Sequence, residues 1–237
     1  MFKNSVRKFV AATLTAVALT FAPFISGECA TFNFSQEYAL QTYSHVEGTT
    51  IYAEMGISQD DLASAISGWA LTPESVREKL AMYSCNIYLT SSSLSASGVN
   101  YGGYTYGARF TYSASTLEIT GITTPAYVLC SCDSDIEGTV IHEIGHVLDF
   151  TIALFEDGTY TGTSCKISAS VEWQAIYATD CAKIAAIDSQ TAVNSYSAKE
   201  LFAEAFRLTY QNPEALIAAS PAAYEYVLQV VEQYTGQ

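Results

Sequence analysis

His142 and His146 stand four residues apart, and Glu143 directly follows the first, in the stretch His142-Glu143-Ile144-Gly145-His146. On an α-helix, residues at this spacing lie one above the other, so two imidazoles are aimed at one point. Neutral imidazole is a good zinc ligand, and a carboxylate beside the pair can take a proton from water that the metal acidifies. The chemistry implied is metal-assisted hydrolysis.

A catalytic zinc needs a third protein ligand and an open position for water. A histidine six residues beyond the second would supply it, but position 152 is Ile152, and the chain's other histidine, His45, lies far upstream. A carboxylate is the better candidate. Glu200 and Glu204 share one face of Glu200-Leu201-Phe202-Ala203-Glu204-Ala205-Phe206. If one binds metal, the other lies a turn away, placed to accept a hydrogen bond from a ligand histidine. The same residues permit a plainer reading. Ser197-x-x-Glu200 is a capping box, and an acidic pair one turn apart commonly forms a solvated face. Asp149, three residues beyond His146 on the ligand face, can orient a ligand or its loop, or simply end a helix.

The elements that must position these groups are partly legible. Ser134-Asp135-Ile136-Glu137 is a capping box just before the motif, and Val140, Ile141, Ile144, Val147 and Leu148 form one apolar stripe behind it. Thr72-Pro73-Glu74 predicts a helix start, with Val76, Leu80 and Met82 or Tyr83 directed inward. Residues 168–187, with Val171, Ile176, Ile184 and Ile187 apolar, and Ser197 to Tyr210 predict two further helices. Pro213 and Pro221 each follow a capping residue, Asn212 and Ser220, and start the last two. Asn86 to Thr90, Tyr104 to Tyr112, Thr116 to Thr120 and Tyr127 to Cys130 read as strands, and residues 91–103 as turn material. Residues 31–57 carry no firm period. Strands come first and helices after, which predicts an α+β fold.

The chain has 237 residues with 49% hydrophobic content, enough for one domain with a sizeable core. Lys3, Arg7 and Lys8 precede an apolar run from Phe9 to Phe24, followed by Ser26-Gly27-Glu28. That pattern predicts a secretory signal over residues 1–30 cut near 29–30, because about 16 apolar residues fall short of the ~20 a membrane span needs. Residues 31–237 then form a single domain, with strands and helices to about 150 and helices over about 165–237. Cleavage would take the net charge from −14 to −16, leaving 7 basic against 23 acidic residues. Such a surface excludes nucleic acid and anionic membrane as partners, since both are held by Lys and Arg. The charge agrees with a secreted protein, expected as a monomer, and does not by itself name a substrate. Export also permits disulfides among the six cysteines, with Cys165–Cys181 one possible pair.

His142-Glu143-x-Gly145-His146-x-x-Asp149, followed by Glu200-Leu201-Phe202-Ala203-Glu204-Ala205-Phe206, resembles the anthrax lethal factor-like gluzincins, which include the Pro-Pro endopeptidases. The resemblance is specific from about residue 134 onward and looser over 72–130. It implies a zincin-like fold, with a small mixed sheet on the motif helix and a mainly helical C-terminal part. One catalytic Zn2+ would be held by His142, His146 and Glu200, with Glu143 as base and Glu204 supporting a ligand histidine. The family places a catalytic tyrosine in the loop before the glutamate helix; Tyr196 is the counterpart, closer to Glu200 than is usual. The implied activity is that of a zinc metalloendopeptidase acting on protein or peptide.

Two other readings use the same residues. Cys130 and Cys132 together with His142 and His146 could close a structural zinc site, although their spacing is tight and export favours oxidised sulfur. A secreted binding or adhesion module could also keep the fold without catalysis.

Overall fold

The computed structural model describes residues 41–46, 49–91, 94–96, 99–159 and 165–236. The expected signal segment and Cys29 lie outside the described residues. A five-stranded mixed sheet has the order β1 (Gln41–Val46), β2 (Thr49–Ala53), β3 (Asn86–Thr90), β9 (Tyr127–Ser131), β6 (Gly103–Tyr106). β1 and β2 are antiparallel, β2, β3 and β9 run parallel, and β6 returns antiparallel along β9 as the edge strand. Alternation decides which face is buried: Ile51, Ala53, Ile87, Leu89, Val128 and Cys130 are sealed in the core.

The opposite face carries tyrosines in stacked and edge-on pairs. Tyr52 stacks on Tyr88, and Tyr106 stacks on Tyr127 with centroids 4.4 Å apart. β4 (Leu94–Ala96) with β5 (Val99–Tyr101), and β7 (Arg109–Tyr112) with β8 (Ile119–Thr124), form two separate antiparallel ribbons.

Helices α1 (Gln59–Leu71) and α2 (Glu74–Met82) connect β2 to β3. α3 (Ile136–Val147) is the central element, packed against α1, α7 (Ala198–Gln211), β6 and β9. Its stripe of Val140, Ile141, Ile144, Val147 and Leu148 is fully buried. Gly145 lets α7 approach: a Cβ there would sit 3.1 Å from Ala203 Cα and Phe206 Cβ. α3 runs on into a π-helical turn, Leu148–Ile152, and then α4 (Ala153–Asp157). The C-terminal part adds α5 (Val171–Ala185), α6 (Ser189–Asn194), α8 (Pro213–Ala219) and α9 (Pro221–Thr235). One hydrophobic core runs from Ile51 to Val231 and joins the sheet half to the helical half. The architecture is mixed α+β, and no helix among the described residues is long and apolar enough to cross a membrane.

Several expectations need correction. The capping residue of α3 is Asp135, whose carboxylate accepts from Gly138 N at 3.3 Å, while Ser134 Oγ donates to Ser131 O at 2.8 Å. Glu137 then faces neighbouring helices, accepting from Ser67 at 2.5 Å and Gln211 at 3.3 Å. Tyr104 to Tyr112 is two strands, because Ala108 N donates to Thr151 Oγ1 at 3.1 Å and Gly107 abuts Phe150, ending the sheet there. The strand placed at Thr116 to Thr120 begins only at Ile119, after a turn in which Leu117 has φ 58°. The Ser- and Gly-rich stretch 91–103 holds the β4–β5 ribbon and the start of β6. Two helices precede β3, so strands do not simply come first. Thr72 closes α1 by donating its N–H to Trp69 O, and α2 starts one residue later than expected, with Pro73 at its capping position. Met82 is exposed and Tyr83 buried, while Val171 is 82% exposed at the first turn of α5.

Candidate metal centre

α3 and α7 cross where the motif helix meets the first turn of the acidic one. Ser197 caps α7, accepting from Glu200 N at 3.4 Å, and so places Glu200 opposite the histidines. Glu200 Oε2 lies 3.3 Å from His142 Nε2 and 3.0 Å from His146 Nε2. The three ligand atoms lie within 4.8 Å of one another, the one such group of His, Cys, Asp or Glu among the described residues. An ion with bonds of about 2.0–2.1 Å in tetrahedral geometry requires ligand atoms roughly 3.3 Å apart. Both measured separations come close to that. The donor set therefore fits a divalent metal ion. Cys130 and Cys132 take no part in the group; Cys130 is sealed in β9, where burial pushes its thiol pKa well up.

Electrostatics around the group are strongly coupled. Burial lowers the pKa of His142, but the carboxylates of Glu204, Glu200 and Glu143 outweigh it and raise the value to about 10. Burial pushes Glu200 up, and its contacts with His142 and His146 override this to hold it well below the usual carboxylate range. Glu204 is likewise lowered by His142, Arg207 and Asn194 against burial. In the metal-free protein the raised His142 stabilises the fold fully below its unfolded value of 6.5, a contribution lost as pH rises through about 10. The lowered glutamates contribute above 4.5, and that is lost as pH falls.

A metal must displace the His142 proton. Zinc uptake at pH 7 is expected to release about one proton, with apparent affinity rising up to about tenfold per pH unit below 10. Calorimetry in buffers of different ionisation enthalpy measures this, and binding without proton release would show that His142 is already neutral in the metal-free protein.

Glu143 is held from the sheet. Thr105 Oγ1, in the edge strand β6, lies 2.6 Å from Glu143 Oε2 and 2.8 Å from its backbone carbonyl, and its one hydrogen can serve either acceptor. Gly103 leaves the room: a Cβ there would fall 2.7 Å from Glu143 Cγ and Oε1 and 2.6 Å from Thr139 Cγ2. The carboxylate thus sits in a niche between the edge strand and α3, beside the two imidazoles.

On the far side of His142 lies Glu204, fully buried on α7. Its Oε1 approaches His142 Nδ1 to 2.9 Å, although the ring N–H is poorly aligned for a hydrogen bond, and it accepts from Asn194 Nδ2 at 2.7 Å. Its Oε2 accepts from Arg207 Nε at 2.8 Å. Asp149 is also fully buried, but its carboxylate accepts from Ile167 N at 2.6 Å, Ser168 N at 3.1 Å and Ser168 Oγ. It anchors the segment leading to α5, and His146 Nδ1 is left without a hydrogen-bond partner. Of the roles open to Asp149, the structure makes the loop contact. His146 is steadied by packing, its ring stacked on Phe150 at 5.1 Å.

A cleft of about 1280 Å³ opens over the group. One wall is the edge strand, with Tyr104 and Tyr106; the other is α6 with Val193 and, just beyond it, the exposed Tyr196, and Lys199 Nζ stands 5.9 Å from the ring of Phe150. Tyr196 is thus placed in a wall of the cleft, 65% exposed.

Thr105, Asn194, Thr191, Asp188 and Arg207 escape the sequence reading. Glu204-x-x-Arg207 is an i,i+3 ion pair visible in principle. Thr105 offers no local signal, since it meets Glu143 only through the sheet. Cys165 and Cys181 are not joined by a disulfide; the Cys181 thiol donates to Ser195 O at 3.4 Å. No protein-family model matches the chain, and comparison with curated proteins finds no match.

Proposed function

We propose that this protein is a secreted, zinc-dependent endopeptidase of the gluzincin type with a zincin-like fold. The observation that carries the reading is the convergence of His142, His146 and Glu200 at a cleft whose base, Glu143, is separately seated. The resemblance of the two helix motifs to lethal factor-like proteases supports it. A bound zinc ion supplies an acidified water and polarisation of the substrate carbonyl.

The rest is the work of the chain. Glu143 accepts the proton of the attacking water and passes it to the leaving amine, while Thr105 holds its carboxylate toward the site. β6 offers an edge against which an extended peptide can pair, with Tyr104 and Tyr106 beside it. Tyr196 is the candidate to donate a hydrogen bond to the oxyanion from the opposite wall.

Mass spectrometry of a broad peptide library tests the reading. Zinc-loaded protein should cut internal peptide bonds, lose this on treatment with a chelator and regain it on adding zinc. Tight zinc binding with no cleavage of any peptide would instead favour a binding module that keeps the fold.

A further inference from the structure

Arg207 is a buried cation, 4% exposed, two turns along α7 from the proposed ligand Glu200. Four hydrogen bonds from its five N–H donors reach partners on two elements. Nε donates to Glu204 Oε2 at 2.8 Å, Nη1 to Gln211 Oε1 at 2.7 Å, and Nη2 to both Asp188 Oδ2 and Thr191 Oγ1 at 2.9 Å. Its stem is fitted against α3, since a Cβ on Gly138 would lie 3.3 Å from Arg207 Cδ. Burying such a cation is costly unless it is paired and hydrogen-bonded, and here two carboxylates face it.

The arrangement links the metal group to the cleft wall. Glu204 spends one oxygen on Arg207 and offers the other at 2.9 Å to His142 Nδ1. Asp188, which caps α6 through Thr191 N at 2.8 Å, spends its second oxygen on the same guanidinium. Asn194, at the end of α6, returns to Glu204 Oε1 at 2.7 Å. A planar fork with fixed donor directions can satisfy both carboxylates at once, whereas a lysine ammonium on its flexible stem cannot reproduce that geometry.

The geometry points to Arg207 as the positioning residue of the centre, fixing Glu204 against His142 and pinning α6 as a wall of the cleft. The inference rests on the metal-binding half of the proposed function and extends it from the ligands to the device that holds them. It differs from a merely structural ion pair in one respect. Arg207 must act on the metal through Glu204, so their effects on zinc affinity cannot be independent.

The test is a double-mutant cycle with zinc affinity as the readout, measured by competition with a chromophoric chelator on the full chain. Arg207→Lys is expected to weaken zinc binding by up to the about 10- to 100-fold that loss of a ligand's own supporting partner, here Glu204, typically costs. Glu204→Gln should do the same, and the double variant should bind no more weakly than Glu204→Gln alone. The visible spectrum of the cobalt-substituted protein should shift in Arg207→Lys, reporting an altered His142 ligand.

Where these substitutions prevent folding, Thr191→Val removes only the hydroxyl that accepts from Arg207 Nη2 at 2.9 Å and lies 2.9 Å from Asp188 Oδ1 and 3.3 Å from Glu204 Oε2. It should weaken zinc binding measurably but by less than the about 10-fold that loss of a whole supporting partner costs, and unchanged affinity in the folded variant would overturn the inference. Fully additive effects, or Arg207→Lys with wild-type affinity and spectrum, would also overturn it. Peptide cleavage is not needed for any of these readings: a zinc-binding protein that cleaves nothing sinks the protease proposal and leaves this one standing. Wild type that takes up no zinc overturns both.

Discussion

Glu143→Gln should abolish nearly all peptide cleavage while leaving the metal in place. General-base catalysis by a positioned carboxylate is worth about 10²–10⁴-fold in rate, and the amide has no basic oxygen with which to take the proton. The substitution is otherwise mild. Glutamine has the same shape, and its carbonyl can still accept from Thr105 Oγ1, which lies 2.6 Å from the present carboxylate. Glu143 also stands outside the group of three that would hold the ion. Turnover of a cleaved peptide should therefore fall by at least two orders of magnitude with zinc content unchanged. Retention of more than about a tenth of wild-type turnover would remove Glu143 from the mechanism, since that is less than the smallest effect expected of a lost base.

Glu200→Gln addresses the other half of the centre. The carboxylate reaches both imidazoles, at 3.3 and 3.0 Å, so its loss removes one ligand and the charge that draws the other two together. Zinc affinity should fall by more than about 100-fold, beyond what losing an outer supporting contact does. The effect is clearest in thermal stability. Zinc at 100 times its dissociation constant stabilises wild type by about 2.7 kcal/mol, and the variant at the same zinc concentration should gain almost none of this. A variant that keeps the full zinc-dependent rise in Tm would show that Glu200 is not a ligand.

The helices around the centre were legible because their signals are local. The four-residue spacing of His142 and His146, the Ser197 cap and the prolines of α8 and α9 act within one or two turns, and the observed boundaries follow them closely. α1 carries a local signal of the same kind, Leu62, Ala65 and Trp69 buried at helical spacing behind the Ser58 cap. The sheet was legible only strand by strand. Asn86–Thr90 is in place, but nothing near it specifies that β9, some forty residues on, is its parallel neighbour.

The break at Gly107 is set by contacts with Phe150 and Thr151, distant in sequence and therefore silent within Tyr104 to Tyr112. The same limit applies to Val171, which an apolar count sends inward but which sits outward because Trp173 occupies the core position of that turn. In the centre itself the chemistry-bearing types could be named from the chain. The partners that orient them, Thr105 on Glu143 and Arg207 on Glu204, emerge only from packing.

The shortness of β6 has a second consequence, for solubility. An outermost strand presents unsatisfied backbone donors and acceptors that another chain can copy, the usual seed of strand-to-strand aggregation. Here that row spans only Gly103–Tyr106 before the chain turns away at Gly107. Four residues are enough to grip a short ligand, but too few to template a growing stack of identical chains. Substitutions that straighten the Gly107 break would lengthen the row and bring that hazard with it.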